Sequence, residues 1–169
     1  TTQSNTPSKL VRFEKIVTPN FSSQLGNKVL YAEHDRDISV SYKSTYTLKY
    51  VIDGAKSYSL GKDEVKVSKN QYLFLDNNRT INPEAKKGTV GLSFFLSPEL
   101  IANVYSNLYG KDKSSIEFLE CPQTRSDDRI GNWLSQSAHL LTNEPSVSAF
   151  QMDDLFIRLS EIVVQEQVK

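Results

Sequence analysis

Tyr46-Thr47-Leu48-Lys49-Tyr50-Val51-Ile52 is followed by Asp53-Gly54, Tyr58-Ser59-Leu60, Gly61-Lys62-Asp63, Val65-Lys66-Val67, Ser68-Lys69-Asn70 and Tyr72-Leu73-Phe74-Leu75. Short alternating strands with a glycine or a polar turn every few residues are the pattern of a small closed β-structure. Successive strand side chains point to opposite sides, so Tyr46, Leu48, Tyr50 and Ile52 share one face. Asp53-Gly54 turns the chain, and Gly61-Lys62-Asp63 turns it again. Tyr72 to Leu75 is apolar at every position, which predicts a strand buried on both faces.

On the N-terminal side, residues 1–8 carry no apolar pattern and are expected to form a disordered lead. Leu10 to Val17, Lys28 to Ala32 and Ile38 to Tyr42 read as strands, the last with Ile38, Val40 and Tyr42 on one face. On the C-terminal side, Ile81 to Lys87, with Pro83 and two lysines, predicts an exposed hairpin connection leading to a strand over Thr89 to Phe95. There Val90, Leu92 and Phe94 share a face. Gly91 and Ser93 keep the other face small, which suits close approach by a neighbouring element.

At Ser97 the apolar period changes from two to 3.6, dividing the chain into a β half and an α half. Ser97 is an N-cap, Pro98 suits the first helical position, and Leu96 and Ile101 are spaced for a hydrophobic staple. This helix should end at Tyr109, before Gly110. A second helix is predicted after Ser126, with Ile130, Trp133, Leu134 and Leu141 along one side. A third begins near Ser146 and runs to the end of the chain without a stop signal, as expected of a piece of a longer protein. It has two apolar stripes: Met152, Leu155, Phe156, Leu159, Ile162 and Val163 on one broad face, and Ile157, Val164 and Val168 about 150° away. The second stripe is either free for a partner or buried within the monomer.

The β half resembles the cupin-type barrel at the front of AraC-family transcription regulators. The residues that carry the resemblance are Tyr46, Leu48, Tyr50 and Gly54, the Lys69-Asn70 turn, the short apolar strand Leu73 to Leu75, and the loop Asp76-Asn77-Asn78-Arg79-Thr80. The sequence departs from the family's pattern where a Gly-Asp turn and a Pro-Pro-x-x-x-His loop are usual. The resemblance covers roughly Lys9 to Val168 and implies a fold that is α+β, mainly β: a cupin-like double-stranded β-helix, or jelly-roll, barrel followed by C-terminal helices. It also implies one sensing domain over 9–169, with the barrel at 9–96 and a helical dimerisation part at 97–169. The helix-turn-helix DNA-binding half would lie outside this chain.

Composition fits that reading. The 169 residues are enough for one domain with its own core. With 20 basic and 20 acidic residues and no basic block, the chain lacks the electropositive face that phosphate contact requires. One cysteine, Cys121, excludes an intramolecular disulfide and makes a reducing, cytoplasmic setting the expectation. No stretch approaches the roughly 20 apolar residues of a membrane span. The chain has two histidines, His34 and His139, and the positions where many cupins hold metal-ligating histidine carry Ser41, Tyr42, Lys43, Arg79 and Thr80. A metal-dependent cupin enzyme is disfavoured on ligand count. No Gly-x-Ser-x-Gly elbow occurs, and Asp127-Asp128 and Asp153-Asp154 read as acids in early helical turns, Asp154 being placed to pair with Arg158.

A barrel lumen lined by aromatics and a few polar groups therefore remains as the candidate site. Tyr46, Tyr50, Asp53, Tyr58, Arg79, Val90, Leu92 and Phe94 are the candidate ligand-binding residues, Arg79 as a clamp for an acidic group. The same aromatics could equally fill the barrel. Ile157, Val164 and Val168 are the candidate dimer contact. No catalytic residue, metal or cofactor is expected, and the expected partners are a small-molecule effector, a second copy of the chain, and DNA only through the helix-turn-helix half. The alternatives are a metal-free cupin enzyme of sugar isomerase or lyase type, with Asp53 or Asp76 as general base, and a carbohydrate-binding module, which the helical C-terminal part disfavours.

Overall fold

A computed structural model describes residues 9–12, 27–34, 36–110, 120, 122–124, 129–143 and 149–167. In chain order they form β1 (Lys9–Arg12), β2 (Lys28–Glu33), β3 (Ile38–Ser39), β4 (Tyr42–Ser44), β5 (Tyr46–Asp53), β6 (Ala55–Leu60), β7 (Asp63–Ser68), β8 (Gln71–Leu75), β9 (Arg79–Ile81), β10 (Pro83–Ala85) and β11 (Val90–Leu96). Then come α1 (Pro98–Tyr109), β12 (Gln123–Thr124), α2 (Arg129–Asn143) and α3 (Ala149–Gln167). One sheet has the order β1-β2-β11-β5-β8-β12 and a second the order β3-β10-β6-β7, while β4 and β9 pair with each other. All of these pairings are antiparallel. Among the described residues no helix is long and apolar enough to cross a membrane.

The architecture follows from β5 and β8 being buried on both faces. Tyr46, Leu48, Tyr50, Tyr72 and Phe74 join Leu92, Phe94 and the apolar sides of the three helices in one cluster. The alternate residues Val51, Leu73 and Leu75 join Tyr58, Leu60, Val67 and Ile81 in a second cluster, which fills the lumen between the sheets. The first sheet is thus the middle layer, with helices on one side and the second sheet on the other. Gly54 makes the tight turn between β5 and β6 at φ +82°, where a Cβ would lie 2.8 Å from Thr89 Oγ1 and 3.0 Å from Thr89 Cα. No other residue fits both the conformation and the space.

Two strand expectations need correction. Ile38 to Tyr42 is not one strand: β3 pairs with β10 and β4 pairs with β9, so the chain breaks between them to serve two partners. The 81–87 connection is not merely an exposed hairpin, because it holds β10 and buries Ile81 and Ala85. Pro83, lacking an N–H, sits at the first position of its strand, where it costs least.

The helix signals at Ser97 hold. Ser97 Oγ accepts from the Leu100 N–H at 3.0 Å, Pro98 opens α1, and Gly110 ends it at φ +64° with its N–H donating to the Ser106 carbonyl at 2.8 Å. The cap is itself anchored, since the Ser97 N–H donates to Asn27 Oδ1 at 2.8 Å from across the fold. Asp154 and Arg158 pair at 2.9 Å as the spacing predicts. In α3 the second stripe is buried within the monomer at Val164, which lies in the helix-side core with Phe156, Leu159 and Val163 and so does not stand free for a partner. α3 packs against both α1 and α2, so this part of the helix is covered from two directions. Ile157, one turn-pair earlier, is 43 % exposed. Val168, Cys121 and Asp127-Asp128 lie outside the described residues.

Candidate functional site

The lumen holds charge as well as hydrocarbon. Lys49 stands on the inner face of β5, opposite Ser93 of β11, and its residue is only 5 % exposed. Its Nζ donates to Ser93 Oγ at 2.9 Å and to the Tyr42 hydroxyl, and lies 5.2 Å from the Tyr42 ring centre and 5.1 Å from that of Phe95. Those distances permit cation–π attraction to both rings. Lys56 stands on the inner face of β6, in phase with Tyr58 and Leu60, and is 7 % exposed. A Cβ built on Gly91 would come within 3.1 Å of Lys56 Nζ, so the small face of β11 exists to receive these two lysine heads. Gly91 and Ser93 are two residues apart on β11, roughly 7 Å at about 3.3 Å per residue, and the Lys49 charge is felt at Lys56.

Among the described residues, no buried one is Asp or Glu. Lys56 takes part in no hydrogen bond or ion pair among the described residues. Burial, and secondarily the Lys49 charge, lower its pKa to about 7. Tyr58 is fully buried with no partner for its hydroxyl, and burial, with a smaller effect from Tyr42, raises its pKa well above the ordinary phenol value. The lumen is therefore rich in donors and poor in acceptors, an arrangement suited to receiving acceptor oxygens.

Of the eight ligand-binding candidates, Tyr58 faces this lumen. Tyr46, Tyr50, Leu92 and Phe94 occupy the opposite, helix-facing phase and belong to the structural core. Val90 sits at a register irregularity where β11 meets Asp53. Asp53 is exposed, accepts from the Gly54 N–H at 3.1 Å and lies 4.0 Å from Lys69. Arg79 is engaged at the rim by Glu120 at 3.1 Å, and the other oxygen of Glu120 accepts the Asp76 N–H at 3.1 Å. The residues missed were Lys49, Lys56, Ser93 and Tyr42. Lys56 did carry a signal, since Lys56-x-Tyr58-x-Leu60 places a lysine in the apolar phase of its strand, opposite Ala55-x-Ser57-x-Ser59.

Elsewhere, a half-open cavity of about 470 Å³ lies on the outer face of the second sheet, flanked by Ser57, Lys66 and Glu84. Its charges are opposite in sign and solvated, so it holds no unmet demand for a ligand. Among the described residues no group of three or more His, Cys, Asp or Glu side chains is gathered as a metal site.

No protein-family model matches the sequence, and no curated protein matches it. The fold does match solved structures. The AraC-like transcriptional activator CuxR superposes with a TM-score of 0.59 at 10 % identity, over 82 % of this chain and 51 % of that one. Over the superposed part the chain shares that activator's fold, an antiparallel β-barrel followed by helices. It spans about half the length of that activator. Shorter overlaps include a putative ethanolamine utilization protein (EutQ) from Salmonella typhimurium LT2, at TM-score 0.41 and 12 % identity over 52 % of this chain and 68 % of that one. A cupin-2 domain containing protein from Shewanella frigidimarina overlaps at TM-score 0.37 and 10 % identity, over 41 % and 70 % of the two chains.

Proposed function

We propose that this chain is the effector-sensing and dimerisation domain of an AraC-type DNA-binding transcription regulator, metal-free, non-catalytic and cytoplasmic. The observation that supports it is the pair of buried lysines, Lys49 and Lys56, in a lumen whose described residues include no buried carboxylate. Burying such heads is costly unless something compensates them; Lys49 is met by Ser93 and Tyr42, and a small-molecule effector in the lumen would meet Lys56. Occupancy would then be felt in β5 and β11, whose other faces carry the core that seats the helices. DNA would be contacted by a separate helix-turn-helix half, because this chain's charges cancel.

A thermal-shift screen of metabolites against the purified chain tests the proposal. A ligand that binds only the folded state should stabilise it by about 2.7 kcal/mol at a hundredfold excess over Kd, and Lys49→Met should abolish the shift. A mobility assay at low salt should show no duplex binding by this chain alone; tight duplex binding would overturn the sensing-domain reading. A second reading, a metal-free cupin enzyme, draws on Lys56, whose pKa of about 7 suits a general base better than the exposed Asp53 does. Recovery of a screened ligand chemically altered after incubation would favour it over sensing.

A further inference from the structure

Resting on the sensing reading above, we infer that the lumen recognises an oxoanion, a carboxylate or phosphate group on a small metabolite, held between the ammonium groups of Lys49 and Lys56 with the Tyr58 hydroxyl as a further donor. Two buried lysine heads, one from each of the two facing sheets, converge on the small face of β11. One of them, Lys56, meets no acceptor among the described residues, and the Tyr58 hydroxyl two residues along the same face is buried without a partner. A neutral polyol would need acceptors as well as donors, because each of its hydroxyls both gives and takes a hydrogen bond. In their protonated forms Lys49 and Lys56 have no acceptor capacity, whereas an ionised carboxylate or phosphate oxygen accepts only. Oxoanion chemistry is the complement of this donor set.

Binding should also be linked to proton uptake. Among the described residues, the titratable groups set against Lys56 and Tyr58 are Lys49 from β5 and Tyr42 from β4. The other strands contribute Val67, Leu73, Ile81, Ala85 and Ser93, none of which can neutralise Lys56. The free chain therefore holds Lys56 largely unprotonated above pH 7. An anion beside it restores the charged form, so affinity should be greatest in mild acid and weaken as the pH rises through and above neutrality.

Isothermal titration of the chain with succinate, inorganic phosphate and neutral glucose, in buffers of differing ionisation heat at pH 6 and pH 8, tests this. The expected result is binding of succinate or phosphate but not glucose, with more protons taken up per succinate at pH 8 than at pH 6. Which anion binds distinguishes carboxylate from phosphate recognition. Lys56→Met should weaken the anion tenfold or more, about the loss expected for one charge-assisted hydrogen bond, and remove the proton uptake. Glucose binding with neither anion bound overturns the inference while leaving an effector-sensing lumen in place. Anion binding of equal strength to the parent and Lys56→Met overturns the site. Binding of none of the three also overturns it, and the metabolite screen then decides whether the sensing reading survives.

Discussion

Ser93 and Phe94 are neighbours in the chain and belong to different parts of the molecule. Phe94 looks toward the helices, where its ring meets Trp133 edge-on at 5.6 Å within an apolar core. Ser93 looks toward the second sheet, where its hydroxyl accepts from a buried lysine. The same alternation runs through β5, with Leu48 and Tyr50 on the helix side and Lys49 between them on the lumen side. One sheet thus carries two economies of burial: hydrocarbon on one face holds the fold together, and charge on the other places an unmet demand where a ligand can satisfy it.

The sharpest way to break this contrast is to truncate both neighbours. Phe94→Ala should cost about 3–5 kcal/mol by opening a cavity in the helix-side core, and Ser93→Ala about 1–2 kcal/mol by removing an acceptor from a charged donor. Urea unfolding at pH 7 measures both, and equal costs would erase the distinction between the faces.

A smaller effect separates the faces by pH. Lys56 has an ordinary pKa of 10.5 when unfolded and about 7 when folded. Between those values the unfolded chain holds a proton that the folded chain has given up, so stability rises with pH through that window. The slope is at most about 1.4 kcal/mol per pH unit. This gain is absent below pH 7, where both states carry the charge. Lys56→Met should flatten that part of the profile relative to the parent, as urea midpoints at pH 7 and pH 9 would show; parallel profiles would mean that Lys56 is charged in the free lumen.

The smallest stability effect is expected on the outside of α3. Ile157→Asp should change monomer stability by no more than about 0.5 kcal/mol, since the side chain is substantially exposed. If this side of α3 pairs two copies, sedimentation should show the variant shifted toward monomer; an unchanged oligomer would remove Ile157 from the contact. Val164→Asp does not ask the same question, because it places a carboxylate in the core and reports on folding.

The fold was legible because its signals are local. Alternation in β5 to β8, the Ser97-Pro98 start and the Gly110 stop of α1 are each written within a few residues. The inward direction of β5 was not, because a strand buried on both sides gives no polar face to mark the outside. Tyr46, Tyr50, Leu92 and Phe94 look like a pocket lining by composition, and the three helices claim them as core. Helical phase left Val164 open between a partner and the monomer's own core for a related reason: it fixes the angle of a residue but not how many neighbours cover it. Lys56 was the signal to weigh, a lysine that keeps the beat of buried residues.

The Asn27–Ser97 hydrogen bond joins groups 70 residues apart, and β2 lies against β11 in the same sheet. In kinetic terms, the anchored start of α1 cannot be completed until the first half of the barrel has found the last long strand, so its protection should arrive with late, high-contact-order pairing rather than with early local helix formation. The helices would then form their seat only on a barrel that has already closed.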